Sequence, residues 1–207
     1  MALKANTYAY RVGNGIYINL TNRCTNACRF CIRNNAEGAY GSESLWLEKE
    51  PTAAEVFEAF KTLYFPACRE FVFCGYGEPM IRIDTLVESA RLLKAQYSLP
   101  IRINTNGHAA LIHGEDVTPR LAGLIDCVSV SLNTPDAAEY VSLCKPVYGE
   151  KAFEALLAFT TACKMHVPDV QVSVVGDFLN KYQLVMCKAI ADRCGVKLRV
   201  REYIGNN

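Results

Sequence analysis

Three cysteines near the amino terminus are the residues best placed to do chemistry in this sequence. Cys24, Cys28 and Cys31 lie four and three positions apart, a spacing that lets three thiolates surround one compact ion or cluster. A cubane cluster has four irons, and this run offers three ligands, so one iron stays open to a substrate or cofactor. The pattern predicts a catalytic iron–sulfur centre.

Zinc binding and ordinary burial are the alternative explanations. A zinc ribbon usually needs a second cysteine pair, and the sequence has a single Cys-x-x-Cys run. The other cysteines lack cluster spacing and suit a reduced core, with Cys74 the first to suspect of a catalytic role. They are Cys68, Cys74, Cys127, Cys144, Cys163, Cys187 and Cys194. His108, His113 and His166 also lack paired metal spacing and receive no role.

The elements that must position these residues alternate along the chain. Strand-like segments separated by helical patterns predict βαβ units and a parallel sheet. The predicted strands are Ile16–Leu20, Glu70–Cys74, Pro100–Asn104, Cys127–Leu132, Val170–Val175 and Lys197–Arg201. The predicted helices are Thr52–Leu63, Ile83–Tyr97, Glu150–Met165 and Lys181–Cys194. Thr52 with Glu55 predicts a capping box, Gly195 a helix end, and Asn34–Ser44 a loop.

The predicted strands have two different faces. Alternate residues are apolar, as at Ile101 and Ile103, and the residues between them are polar, as at Ser129 and Ser131. A doubly wound sheet needs near-continuous apolar strands, and a full barrel of roughly 250 residues needs eight strands and an apolar interior. The sequence therefore predicts an α/β fold, a partial (βα)6 barrel with a polar lumen. The cysteines follow the first strand, at the rim where such barrels build their sites.

The composition is that of an ordinary globular protein. The 207 residues are 51% hydrophobic, so one domain over 1–207 is expected, with the first strand and the cysteine loop in 15–35. The net charge of +1 gives no reason to expect nucleic acid. An apolar signal-peptide run and a membrane-length segment are both lacking, which predicts a reducing, cytoplasmic location without membrane contact.

The cysteine run resembles the signature of a known family. Cys24, Cys28 and Cys31, with Phe30 before the last, are similar to the CxxxCxxC motif of the radical S-adenosylmethionine (SAM) superfamily. Later segments match in the same order, and the resemblance covers nearly the whole chain after about residue 15. It implies the superfamily's six-unit partial barrel, the radical SAM core, which agrees with the strand faces.

Two further segments resemble the parts of that family which bind SAM. Gly77, Glu78 and Pro79 are similar to the segment that holds the methionine amino group, although Tyr76 separates the glycines here. Asn104–Gly107, with Asn104 and Asn106, resembles the ribose-contacting region. Read alone, these segments are a Gly-Pro turn and an Asn-Gly turn.

Polar residues of the fourth predicted strand complete the resemblance. Ser129, Ser131 and Asn133 occupy positions where similar proteins bind the ribose or the methionine carboxylate, and otherwise they are spacers on a half-buried strand. The closer likeness is to small TatD-linked radical SAM proteins. It rests on Ile18–Arg23, Cys31–Arg33 and Ser131–Asn133, and it supplies no substrate.

The resemblance implies an oxygen-sensitive enzyme. A 4Fe–4S cluster, reduced by a flavodoxin- or ferredoxin-type donor, cleaves SAM to methionine and a 5′-deoxyadenosyl radical, which abstracts hydrogen from a substrate. A glycyl-radical activase is the alternative enzyme, and a non-catalytic iron–sulfur redox module is the alternative outside enzymes. The oligomeric state stays open.

Cations on the polar face add an expectation about the substrate. Arg102 and, on the sixth strand, Lys197, Arg199 and Arg201 are predicted to face the lumen. Buried cations need anions beside them, and Glu70 or the SAM carboxylate can supply part of that charge. A substrate carboxylate or phosphate bound by Arg199 or Arg201 is the sharper prediction.

Overall fold

A seven-stranded sheet organises the protein, and the computed structural model describes residues 6–203. The strands are β1 (Ala9–Val12), β2 (Gly15–Ile18), β3 (Glu70–Phe73), β4 (Ile101–Thr105), β5 (Cys127–Ser131), β6 (Asp169–Val175) and β7 (Lys197–Arg201). They lie side by side in chain order. β1 and β2 are antiparallel, and all later neighbours are parallel. No pairing joins β7 to β1 within residues 6–203, so the sheet is an open partial barrel, as predicted.

Helices connect the parallel strands. They are α1 (Ala53–Leu63), α2 (Ile83–Gln96), α3 (Ala109–His113), α4 (Ala137–Cys144), α5 (Lys151–Cys163) and α6 (Lys181–Cys194). The predicted capping box at Thr52 and Glu55 is present, and Gly195 ends α6 with a φ of +66°. No helix within residues 6–203 is both long and apolar enough to cross a membrane.

The two faces of the sheet divide as the strand pattern predicts. Ile16, Ile103, Val130 and Val172 are fully buried in a core that they share with helix residues. Burial of each such side chain contributes about 1.5–3 kcal/mol relative to exposure. The alternate side chains, such as Ser131, line a cavity on the opposite face. The helices thus leave one face of the sheet to a ligand.

Three of these strands and α-helices lie outside the predicted set: β1, α3 and α4. β1 contains a charged residue, Arg11, and is joined to β2 by a two-residue turn in which Gly13 has a φ of +54°. That φ favours glycine and gives a tight hairpin turn. α4 is only eight residues long and begins after Asp136, whose side chain accepts a hydrogen bond from the Glu139 N–H. Short elements leave little periodicity to detect.

Candidate active site

The polar face of the sheet encloses a cavity of about 280 Å³. Every residue predicted to bind metal or substrate borders it, as do all the predicted SAM contacts except Pro79. They are Cys24, Cys28, Cys31, Gly77, Glu78, Asn104, Asn106, Ser129, Ser131, Asn133, Arg102, Arg199 and Arg201. Pro79 is buried at the start of a short 3-10 turn directly after Glu78. One cavity therefore brings together predicted site residues from five strands and their loops.

The cysteine loop follows β2 and is held by its backbone. The N–H groups of Ala27 and Arg29 donate to the carbonyls of Cys144 and Leu143, at the end of α4, over 2.9 and 3.0 Å. These bonds satisfy two of the last carbonyls of that helix. The loop conformation is therefore fixed partly by a helix more than a hundred residues later in the chain.

Arg33 supports the same loop from the other side. Its guanidinium donates to the backbone carbonyls of Asn22, Asn26 and Tyr76, each over 3.2 Å. A planar group with five N–H donors can join three chain segments in this way, whereas a lysine ammonium lacks the fork geometry. Arg33 thus links the cysteine loop to the segment after β3.

The three thiols suit a cluster better than a single ion. All three are unpaired and half-buried at the cavity wall. Within residues 6–203, no three His, Cys, Asp or Glu side chains converge as one metal ion requires. The thiolates of a cubane bind separate irons, so they need to surround a volume and not a point.

Protonation of these thiols is favoured by burial. Burial, then the nearby Glu78 carboxylate, raises the pKa of Cys24 to about 12. A hydrogen bond with the Cys144 thiol, followed by burial, raises the pKa of Cys28, and burial raises that of Cys31. Because metals bind thiolates, loading of this site must release protons.

Glu78 joins the loop after β3 to the end of β4. Its buried carboxylate accepts hydrogen bonds from the Met80 N–H (2.9 Å), the Thr105 hydroxyl (2.8 Å) and the Asn106 N–H (2.7 Å). Burial raises the pKa of Glu78 to about 7, although the three hydrogen bonds oppose the rise. The carboxylate therefore positions Asn106 as well as bordering the cavity.

Gly77 allows the segment after β3 to touch the start of the cysteine loop. A Cβ at this position would lie 2.3 Å from the Thr21 carbonyl oxygen and 2.5 Å from that of Arg23. Tyr76, which interrupts the glycines, is buried, and its hydroxyl donates to the carbonyls of Ala36 (2.6 Å) and Gly38 (3.0 Å). The departure from the family pattern thus supports the loop after the cysteines.

Two buried amide oxygens in the cavity wall have no partner. They are Oδ1 of Asn26, inside the cysteine loop, and Oδ1 of Asn133, after β5. Asn133 has a φ of +60°, and its Nδ2 donates to the Cys144 sulfur over 3.4 Å. Because a buried acceptor without a donor costs about 1–3 kcal/mol, these atoms suit a ligand that carries hydroxyl or ammonium donors.

The arginines of the cavity differ in how they are paired. Arg102 donates through Nε and Nη2 to both oxygens of Glu70 (3.0 and 2.7 Å) and through Nη1 to Asn104 (2.6 Å). Arg199 and Arg201 form no ion pair within residues 6–203, and Nε of Arg201 is buried without a partner. Lys197 does not reach this cavity, contrary to the prediction, because it begins β7 and borders a separate cleft with Lys164.

Several residues of the site were missed by the sequence patterns. Tyr10 and Tyr40 border the cavity, but Tyr10 lies on the unpredicted β1 and Tyr40 in the loop after the cysteines. His108 is fully buried behind the site, with Nδ1 2.9 Å from the Thr25 hydroxyl and Nε2 3.1 Å from the Tyr140 hydroxyl. No sequence signal marks these contacts, since they join residues far apart in the chain.

Comparison with known sequences gives a family match. Residues 18–182 match the family model described as the Radical SAM superfamily. A protein of Corynebacterium glutamicum strain R named GTP 3′,8-cyclase is 29% identical over 205 residues, 94% of this chain and 50% of the relative. A second protein of that name, from another strain, is 30% identical over 142 residues, 64% of this chain and 34% of the relative. The chain spans half or less of these relatives.

Solved structures share the fold at low sequence identity. A radical SAM methyltransferase from Sphaerobacter thermophilus has a TM-score of 0.65 at 17% identity, covering 93% of this chain and 57% of that one. Streptococcus suis SuiB bound to S-adenosylmethionine has a TM-score of 0.64 at 16% identity, covering 92% and 41%. Methylornithine synthase (PylB) has a TM-score of 0.61 at 18% identity, covering 92% and 53%.

Proposed function

Because this chain belongs to the radical SAM superfamily of enzymes, whose members use a 4Fe–4S cluster and SAM, we propose that it performs radical chemistry on a substrate held in the polar cavity. When bound, cluster and SAM together supply a 5′-deoxyadenosyl radical that abstracts hydrogen from the substrate. The observation that carries the proposal is the wall of the cavity. Three unpaired thiols and the partnerless amide oxygens of Asn26 and Asn133 border the same space.

The cysteine loop is the proposed cluster site. Cys24, Cys28 and Cys31 hold the cluster, and the two backbone bonds to the end of α4, together with Arg33, keep the three sulfurs around one volume. Preorganisation of this kind reduces the ordering cost of loading the cluster. With three protein ligands, one iron stays open to SAM.

Residues beside the loop are the proposed SAM site. Gly77, Glu78 and Pro79 hold the amino group of the methionine moiety, since a fixed carboxylate and nearby carbonyls accept charge-assisted hydrogen bonds from an ammonium group. Polar side chains of β4, β5 and their loops bind the ribose and the methionine carboxylate. They are Asn104, Asn106, Ser129, Ser131 and Asn133.

The substrate is proposed to be an anion. Arg199 and Arg201 face the cavity without a counter-ion, which favours a carboxylate or phosphate there. The curated relatives are named for GTP, so this phosphate-bearing nucleotide is the first compound to test. The likeness to the TatD-linked lineage remains part of the proposal and adds no compound to that test.

Reconstitution under anaerobic conditions tests the proposed function. The chain is loaded with iron and sulfide, SAM and dithionite are added, and 5′-deoxyadenosine is measured, with Cys31→Ala as the unloaded control. In the cell, a flavodoxin- or ferredoxin-type protein takes the place of dithionite. A loaded cluster that neither binds nor cleaves SAM would favour the redox-module alternative. A glycyl radical signal in a partner protein would favour the activase.

A further inference from the structure

The cavity has two chemically distinct sides. We name Cys24, Cys28, Cys31 and Glu78 the cysteine wall, and Arg199, Arg201, Tyr17 and Tyr40 the arginine wall. The cysteines follow β2, whereas Arg199 and Arg201 lie on β7, five strands further along the sheet. The two arginines therefore reach the cavity from a different element than the cysteines.

Within residues 6–203 the arginines of this wall form no ion pair, although the Glu202 carboxylate borders the same cavity. Arg102, in the same cavity, is neutralised by the bidentate contact with Glu70. Arg199 is exposed, and Arg201 is half-buried with a partnerless Nε. Burial lowers the pKa of Arg201, Cys74 opposes this, and Arg199 lowers it further. A guanidinium stays charged in proteins, so a bound anion would stabilise this pair, and most of all the half-buried Arg201.

Aromatic rings border the same cavity as the two cations. The rings of Tyr17 and Tyr40 are tilted with centroids 6.5 Å apart, and Tyr10 packs on Tyr17 at 5.6 Å. The ring of Tyr40 borders the same cavity as Arg199 and Arg201. Burial, then Tyr17 and Cys74, raises the pKa of Tyr40, and the charges of Arg201 and Arg199 oppose the rise.

Tyr40 is also held in an unusual conformation. It is 52% exposed and has a φ of +55°, a left-handed backbone that costs a non-glycine residue on the order of 1–3 kcal/mol. Its neighbour Ala39 is buried, and the Ala39 N–H is bonded to the Ser42 side chain, so the surrounding loop fixes this geometry. An aromatic side chain maintained at such a cost beside two cations suits a flat ligand.

We propose that the arginine wall binds a substrate made of a flat aromatic ring that carries an oxyanion, with the oxyanion on Arg199 and Arg201 and the ring against Tyr40 and Tyr17. This inference rests on the proposed function, because it assigns the cavity's second ligand as the substrate of the radical step. The oxyanion is a phosphate or a carboxylate, since both match the guanidinium fork.

Matched ligand pairs on the SAM-saturated, anaerobic holoenzyme test the proposal. Guanosine 5′-monophosphate is compared with guanosine, and indole-3-acetate with indole-3-acetamide, by isothermal titration calorimetry. At least one acid should bind 10-fold or more tightly than its neutral partner, by about the strength of a hydrogen bond to a charged group. If the difference in affinity is found for the guanosine pair, the oxyanion is a phosphate; if it is found for the indole pair, the oxyanion is a carboxylate.

Variants locate the binding site. Arg199→Gln and Arg201→Gln should each weaken binding of that acid about 10-fold or more. Tyr40→Ala should weaken binding of the same acid about 5-fold or more, whereas Tyr40→Phe keeps the ring and should bind the acid as tightly as the wild type does. Lys197→Gln removes a cation from the same strand, outside the cavity, and should change nothing.

Three results would overturn the inference. The first is that neither acid binds more tightly than its neutral partner. The second is that the Arg199→Gln and Arg201→Gln variants bind the acid as tightly as Lys197→Gln does. The third is that these two variants lose affinity for SAM and for the acid to the same degree, which would assign the arginines to SAM binding. The yield of 5′-deoxyadenosine from SAM alone is measured in parallel on the unaltered protein. Absence of that product would contradict the proposed radical chemistry. Its presence with any of the three results would leave the radical chemistry standing and contradict this inference, together with the anionic substrate assigned to the two arginines.

Discussion

The two walls of the cavity treat their polar groups in opposite ways. In the cysteine wall, the Glu78 carboxylate already accepts three hydrogen bonds, and the loop backbone is tied to α4. In the arginine wall, Arg199 and Arg201 have no ion pair within residues 6–203. A hydrogen-bonded group such as the Glu78 carboxylate fixes the geometry of its loop, whereas an arginine without an ion pair is free to bind a ligand. In the proposed function, the cysteine wall holds the cofactor and the arginine wall selects the substrate, and this difference in pairing is what the two assignments rest on.

Loss of a thiol should break the cysteine wall completely. Cys24→Ala, Cys28→Ala or Cys31→Ala each removes one of three cluster ligands, and each is expected to abolish the cluster. Iron and sulfide content after anaerobic reconstitution gives the measurement. Cys163→Ala, in the buried face of α5, is the control and should load fully.

Cys144 makes the Cys28 variant the most demanding of the three. Its thiol is the first cause of the raised pKa of Cys28, so it lies beside that residue and offers a replacement ligand. Cys144→Ala should therefore be compared alone and with Cys28→Ala. Full loading of the double variant would refute the ligand assignment, and loading of Cys28→Ala that vanishes in the double variant would show substitution by Cys144.

A smaller effect is expected at Glu78. Glu78→Gln keeps the size of the side chain but removes its charge and replaces one acceptor oxygen with a donor, so SAM affinity should fall about 10-fold or more while the cluster still loads. Equilibrium dialysis with SAM measures this. Glu88→Ala, on the exposed face of α2, is the control. Equal SAM affinity in Glu78→Gln and the wild type would show that Glu78 does not contribute to SAM binding.

Stability separates the paired arginine from an unpaired one. Arg102→Gln leaves Glu70 without its counter-ion and should cost about 2–4 kcal/mol of unfolding free energy, whereas Arg201→Gln removes a partnerless donor and should cost less than about 1 kcal/mol. Urea unfolding of both variants gives the comparison. Equal losses would mean that the two arginines are compensated alike.

A further prediction concerns the layer behind the cysteine wall. Burial lowers the pKa of His108 to about 4, so between pH 6.5 and 4 the unfolded chain binds more protons at this residue than the native protein. His108 therefore removes stability as the pH falls, by about 2 kcal/mol at pH 5.

Glu78 titrates in the same range with the opposite sign. Its native pKa is raised to about 7, so it adds stability at low pH that is lost as the pH rises through 7. The informative quantity is thus the difference between wild type and His108→Asn in urea unfolding at pH 5 and pH 7. A difference that does not change with pH would contradict the neutral, buried state of His108.

The sheet and the ligand face could be predicted because both depend on alternation within single strands. Ile103 and Asn104, for example, are assigned to opposite faces by their positions alone, and the structure agrees. The cysteine spacing is local in the same sense. β1 was missed because its four residues, Ala-Tyr-Arg-Val, barely alternate, although the Gly13 turn gave a signal.

What the sequence could not give depends on contacts between distant residues. Arg102 is paired with Glu70 on a neighbouring strand, and which of several lumenal cations finds a partner depends on register and strand tilt. Tyr40 lies in an irregular loop, where no period links sequence to position. Only the three-dimensional structure therefore shows that Arg102 has an ion-pair partner in the cavity whereas Arg199 and Arg201 do not.

The order of the strands has a consequence for how the protein folds. Since neighbours in the sheet are also neighbours in the chain, each parallel pairing closes a short segment, and growth from the amino terminus can add one unit at a time. The cysteine loop belongs to the first unit, yet two of its N–H groups bond to carbonyls at Leu143 and Cys144. The loop is synthesised early but acquires its final shape late, so the emerging chain cannot present a finished cluster site until α4 has folded onto it.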